Sequence, residues 1–220
     1  MVNGTGPASP HAGRTQARPS PKPQITDKRL LRGARTRATV LRHAVDLASL
    51  DSLEGLSFGR LASSTGLSKA GIQTLFGTKE ALQLATVDQA REMFTDAVIR
   101  PARQVPRGAA RLRALIEHWI SYAAAPLFAG GCFRVANLAD YDSRPGPIRD
   151  ALIRDQEDWR DLLTRELRQA ANSGEIADLD AELAAFQIDA VLCAANTALR
   201  LGDTNVVDRI WRTVEGMLAP

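Results

Sequence analysis

Three capping residues in quick succession, Ser57, Ser68 and Thr78, constrain this chain most, because they divide residues 57–82 into short helices joined by tight turns. The segment reads Ser57-Phe-Gly-Arg-Leu-Ala-Ser-Ser-Thr-Gly66-Leu-Ser68-Lys-Ala-Gly-Ile-Gln-Thr-Leu-Phe76-Gly-Thr78-Lys79-Glu-Ala-Leu82. Ser57 is placed to cap a helix that turns Phe58, Leu61 and Ala62 inward. Gly66 can take the left-handed conformation that ends it. Ser68 caps a second helix with Ile72, Leu75 and Phe76 on its inner face. Thr78 caps a longer one, with Glu80 in the first turn where the helix dipole favours an acid. Helix, glycine turn and helix within roughly twenty residues is a helix-turn-helix arrangement. Ala62 supplies the small side chain that two closely crossing helices need. The outer face of the second helix holds Lys69, Ala70, Gln73 and Thr74, without a carboxylate. Such a face suits a major groove, where small residues permit close approach and amides or hydroxyls meet base edges. A plain helical hairpin inside a bundle is the alternative, and the acid-free face counts against it.

Charge points the same way. Residues 1–79 hold twelve Lys/Arg against four Asp/Glu, whereas residues 80–220 hold sixteen against twenty-one. A basic first third on an acidic remainder marks one segment that meets a polyanion. Residues 1–26 carry Pro7, Pro10, Pro19, Pro21 and Pro23 without apolar periodicity, which predicts a disordered basic tail. Its Arg14, Arg18 and Lys22 either lie along DNA or merely solvate the tail. From Lys28, the residues Ala34, Ala38, Leu41, Val45 and Ala48 recur at helical steps and predict a helix over residues 28–50.

Beyond it the periods stay helical. Helices are expected over residues 79–99, ending at Pro101, and over 107–125. A short piece follows at Phe133–Leu138, then a long helix from Ile148 to before Gly174. Two last helices fall near 180–200 and 203–218. No stretch alternates as a strand, so the fold class is all-α with about nine helices. Aromatic residues are only 5% of the chain, which leaves the core to Leu, Ala, Val and Ile. Cys132 and Cys193, the only cysteines, have neither disulfide-framework nor zinc spacing. Cys132 follows two glycines and reads as buried core ahead of redox sensor. No metal site, cofactor or catalytic residue is expected. No apolar run matches a membrane span, and the N-terminus lacks the apolar core of a signal peptide, so the expected compartment is the cytoplasm.

The residues Leu61-Ala62, Gly66-Leu67-Ser68-Lys69, Ile72, Phe76 and Thr78-Lys79-Glu80-Ala81-Leu82 resemble the TetR family of one-component repressors. The likeness covers about residues 30–85, and Gly130-Gly131-Cys132-Phe133 with Pro145-Gly146-Pro147 is similar to one branch of that family. It implies a DNA-binding domain over residues 27–77 and an effector-binding and dimerisation domain over 78–220. A homodimer on a near-palindromic double-stranded operator, released by a small-molecule effector, follows from the resemblance. So do DNA contacts from Ser57, Ser68, Lys69, Ala70, Gln73, Thr74, Thr78 and Lys79. Gln73 stands where the family usually has Tyr, and Gly71 where Thr or Ala is commoner.

A central effector pocket is implied too, with Phe94, His118, Trp119, Tyr122, Phe133, Asn137, Trp159 and Phe186 as candidate lining. That mixture fits a modest apolar or aromatic effector. The last two helices would pair with their mates as a four-helix bundle. Ala184, Ala185, Ile188, Val191, Leu192, Ala195 and Leu199 serve on one, and Ile210, Trp211, Val214, Met217 and Leu218 on the other. The competing reading is a helical-bundle ligand-binding protein or enzyme without DNA function, with Asp155, Glu157, Asp158, Asp161 and Glu166 as a carboxylate site. No Glu-x-x-His pair accompanies them, and they read as a solvated face offset by Arg154, Arg160, Arg165 and Arg168.

Overall fold

Apolar residues at three- and four-residue steps become helices throughout the computed structural model, which describes Met1, residues 28–125 and residues 127–219. The basic tail, with Arg14, Arg18 and Lys22, lies outside the described residues. The order is α1 (Lys28–Asp51), a 3-10 turn (Leu53–Gly55), α2 (Phe58–Thr65), α3 (Lys69–Phe76) and α4 (Lys79–Phe94). Next come α5 (Ala109–Ala124), α6 (Phe133–Tyr141), α7 (Pro147–Asn172), α8 (Ala181–Arg200) and α9 (Val206–Met217). No strand occurs among the described residues, and the fold is all-α as the periodicity requires.

Two packing units share one apolar core. In the first, Val40, Leu41 and Ala44 of α1 meet Leu61 of α2 and Ile72 and Phe76 of α3, all buried. In the second, α7 is the central rod. Its Leu152, Trp159, Leu163 and Leu167 recur on one face and pack among α4, α5, α6 and α8. Helix α9 covers α8 through Ile210 and Val214.

Pro101 does not end its helix, contrary to expectation. Helix α4 continues through a π-helical segment, Thr95–Ile99, and one further turn, Arg100–Ala102. The Arg100 N–H reaches back five residues to the Thr95 carbonyl. That widened turn moves carbonyls off the helical path, where a proline ring would otherwise strike them. A single rod of roughly 36 Å therefore runs from Lys79 to Ala102.

The acidic face of α7 is not uniformly solvated either. Glu166 is buried, accepts hydrogen bonds from the Gly108 N–H at 3.0 Å and Arg107 Nε at 3.3 Å, and so holds the entry to α5.

Candidate DNA-reading face and effector cleft

Each expected cap forms. The Ser57 hydroxyl accepts from the Arg60 N–H at 3.2 Å, Ser68 from Gly71 at 3.1 Å and Thr78 from Ala81 at 3.1 Å. Each relieves one of the N–H groups a helix start leaves unpaired. Gly66 takes φ 70°, the left-handed conformation a side chain would resist, and its N–H closes α2 on the Ala62 carbonyl. With Leu61 and Ile72 fully buried, α3 has one possible outward face.

Ser68, Lys69, Ala70, Gln73 and Thr74 all lie on that face and are exposed. Ser57, Thr78 and Lys79 flank it, also exposed. The face carries no acid. The Thr74 hydroxyl donates to the Ala70 carbonyl at 2.9 Å, which leaves its lone pairs outward. Lys79 is less free than its position suggests: its Nζ donates to the Glu54 carbonyl at 2.8 Å and lies 3.5 Å from the Glu54 carboxylate. Arg37 of α1 stacks its guanidinium 5.1 Å from the Phe76 ring centre, fastening α3 to α1.

Behind this face, the 3-10 turn after α1 is wired into the second unit. Asn137 of α6, fully buried, accepts from the Leu53 N–H at 2.6 Å and donates to the Ala48 and Phe133 carbonyls at 3.1 and 2.8 Å. Gln83 of α4 donates to the Leu53 carbonyl at 2.7 Å and to the Tyr141 hydroxyl at 3.1 Å. Burial and the neighbouring Glu54 carboxylate push the Tyr141 hydroxyl up to about 12, so it stays protonated. The Gly130 N–H donates to Ser49 Oγ at 2.8 Å, and the Cys132 N–H to Asn196 Oδ1 of α8 at 2.8 Å. One loop thus touches α1, α6 and α8.

Two adjoining cavities lie beside α4. A cleft of about 340 Å³ opens between α4 with its π segment and α7, lined by Arg91, Phe94, Thr95, Ile99, Arg103, Asp155, Asp158, Trp159, Leu162 and Arg165. A water-sized extension of about 20 Å³ shares Arg91, Phe94 and Asp155 with it and reaches Tyr122, Cys132, Phe133 and Arg134. Phe94 stands edge-on to Tyr122 and Trp159, with ring centres 5.2 and 5.4 Å away. Arg91 ties the two walls by pairing with Asp158 and lying 3.8 Å from Asp155. Burial raises the Asp155 carboxyl, against the pull of Arg134 and Arg91.

Of the eight residues expected to line a pocket, Phe94, Tyr122, Phe133 and Trp159 are brought together here. The other four are placed elsewhere. Trp119 is core, His118 is half-buried on α5 away from both cavities, and Asn137 serves the junction described above. Phe186 is 54% exposed on α8, with the Arg160 guanidinium 6.0 Å from its ring centre. Arg91, Arg103 and the π segment escaped the sequence reading, and Asp155 and Asp158 entered it as part of a solvated face. Their charges look like a solvated helix face until α4 and α7 are laid side by side. Cys132 is buried as expected, and burial pushes the Cys193 thiol up to about 11, far from a reactive thiolate. Among the described residues no group of His, Cys, Asp and Glu could hold a metal, and no helix is long and apolar enough to cross a membrane.

Most of α8's apolar residues face the molecule's own core: Ala184, Ala185, Ile188, Leu192 and Ala195 are buried. Leu183, Phe186, Ala190 and Ala194 are left outward.

Residues 108–214 match the family described as Tetracyclin repressor-like, C-terminal domain. A TetR transcriptional regulator from Chloroflexus aurantiacus superposes with a TM-score of 0.75 at 24% identity, covering 86% of this chain and 94% of that one. A TetR-family regulator from Agrobacterium tumefaciens does so with 0.75 at 20% identity, covering 84% and 99%. AibR, solved in complex with isovaleryl coenzyme A and operator DNA, gives 0.68 at 21% identity, covering 84% and 99%. No curated protein sequence matches the chain.

Proposed function

We propose that this chain is a TetR-family transcriptional regulator, as the family match over residues 108–214 supports, and that it is a homodimeric repressor which a small molecule releases from a near-palindromic operator. Residues 27–77 are the DNA reader, and residues 78–220 bind effector and partner. The observation that carries this reading is the α4 rod. Its capped start, Thr78 and Lys79, adjoins the exposed face of α3, while Arg91, Phe94 and the π segment form one wall of the cleft. A ligand that prefers a wider or narrower cleft moves the rod, and with it the spacing of two recognition helices set for major grooves about 34 Å apart. Such a ligand shifts the equilibrium only by its differential affinity for the two spacings.

On DNA, Lys69, Gln73 and Thr74 meet base edges or nearby phosphates. Ser57, Ser68, Thr78 and Lys79 fix register on the backbone, and Ala70 lets α3 approach. Gln73 in place of Tyr offers an amide that can pair bidentately with adenine. Lys79 must share its ammonium between Glu54 and a phosphate. The neighbour AibR, solved with both an acyl coenzyme A and operator DNA, supports a ligand-responsive DNA-binding role.

The test begins with selection of bound duplexes from a random pool, followed by titration at fixed salt. A near-palindrome with half-sites one helical turn apart is expected. Lys69→Ala is expected to weaken binding to it about tenfold and to lower the salt slope by about one. Failure to enrich any duplex at low salt would instead favour a ligand-binding protein without DNA function.

The dimer has its own check. The outward stripe of α8, Leu183, Ala190 and Ala194, has small residues that let two helices approach closely, beside the half-exposed Trp211 and Met217 of α9. Light scattering at micromolar concentration is expected to give a dimer mass, and Leu183→Glu with Ala190→Glu a monomer mass. A wild-type monomer would remove the dimer from this reading.

A further inference from the structure

We infer that the cleft between α4 and α7 receives an amphipathic organic anion, its apolar body against Phe94, Ile99 and Trp159 and its carboxylate or phosphate at Arg103 and Arg165. This rests on the reading of that cleft as the effector site. Its volume, about 340 Å³, falls in the range of small-ligand sites.

Charge decides the orientation. Around Arg91 each cation already faces an acid: Arg91 pairs with Asp158 and lies 3.8 Å from Asp155, and Arg134 pairs with Asp189, so neither is left to hold an anion. At the rim the balance reverses. Arg103, where the α4 rod ends, and Arg165, on α7, are exposed and form no ion pair among the described residues. Their neighbours differ in this respect: Arg100 pairs with Asp96, and Arg107 and Arg111 with Glu166. Two such guanidiniums lining one cleft, each with paired donors, suit a planar carboxylate or a phosphate.

A second observation also calls for a ligand. Trp159 is 2% exposed and forms part of the wall, yet its Nε1–H has no acceptor among the described residues. A buried donor left unpaired is costly, and an oxygen of the bound molecule would satisfy it. The aromatic wall with Asp155 could also attract an ammonium group, but the two unpaired arginines at the entrance oppose it.

The experiment uses the full-length protein and three matched probes: 4-phenylbutyrate, its primary amide, and 4-phenylbutyltrimethylammonium, with octanoate as an aliphatic anion. Binding is read by calorimetry and by quenching of tryptophan fluorescence. At least one of the two carboxylates is expected to bind saturably, and 4-phenylbutyrate about tenfold more tightly than its amide. Arg103→Gln with Arg165→Gln is expected to abolish that preference while leaving the amide's affinity and the unfolding midpoint unchanged. Arg165→Lys, which keeps the charge, should restore part of it. The inference is overturned if neither carboxylate binds, if the amide or the ammonium compound binds as tightly, or if the double variant keeps the preference. Operator release is scored separately. Carboxylate binding without release supports the anion site and removes only the release reading. Release driven equally by amide and carboxylate overturns the anion site and leaves release standing.

Discussion

Gly130→Ala is expected to destabilise the protein by about 1–3 kcal/mol, a cost typical of overpacking, and, on the function proposed above, to weaken the coupling of the cleft to the α3 face. A Cβ at this position would stand 1.8 Å from the Ser49 carbonyl oxygen and 2.2 Å from its carbon, both backbone atoms at the end of α1. No rotamer change relieves such a clash, so the loop must leave α1 and give up the 2.8 Å hydrogen bond from the Gly130 N–H to Ser49 Oγ. Denaturant unfolding measures the first effect. The second is the change in operator affinity on adding effector, which should shrink even where the variant is fully folded. Gly33→Ala in α1 is the control: a Cβ there meets nothing within 4 Å. Alanine at that position should be neutral or stabilise the helix by up to about 1 kcal/mol. Equal midpoints for the two variants would sink the claim that this approach of backbones matters.

The second large effect is expected at Asn137. Its amide satisfies the Leu53 N–H and the Ala48 and Phe133 carbonyls together, in a site without solvent access. Asn137→Ala strands all three and should cost about 3 kcal/mol, since a buried group without its partner bears its full desolvation penalty. Asn137→Leu separates the causes. It restores volume without hydrogen bonds, so the two variants should unfold at nearly the same midpoint. Wild-type stability in the leucine variant would mean that Asn137 merely fills space and does not tie the 3-10 turn to α6. With the tie broken, the head of the molecule should also respond less to ligand, because Leu53 connects α1 to the helix that bears Ser57.

These two residues show how far the sequence could be read. Asn137 was legible as a polar residue in an apolar stretch, which looks equally like a pocket wall or a buried bracket. Its role turned on which backbone groups lie opposite, the Ala48 carbonyl and the Leu53 N–H, both more than eighty positions away. Phe186 was legible as an aromatic on an amphipathic helix, but its exposure depends on what α7 and α9 leave uncovered. Pro101 was a sound stop signal by local rules, overridden by a π-helical turn just before it. Asp155 and Asp158 were read as solvent-facing, and only the approach of Arg91 on α4 makes them part of a cleft.

What the sequence determined by itself is what local chemistry decides. Caps at Ser57, Ser68 and Thr78, the left-handed turn at Gly66 and the inward residues Leu61, Ile72 and Phe76 act within a few residues of chain. Together they leave one outward, acid-free face on α3. The all-helical class follows likewise from apolar period. The tertiary structure alone decided the cleft, the α4 rod as its wall, the approach of Arg103 and Arg165 to that cleft, and the junction through Gly130 and Asn137. Each depends on charges or backbone groups far apart in the chain, whose meeting is set by how the helices pack and not by any local preference.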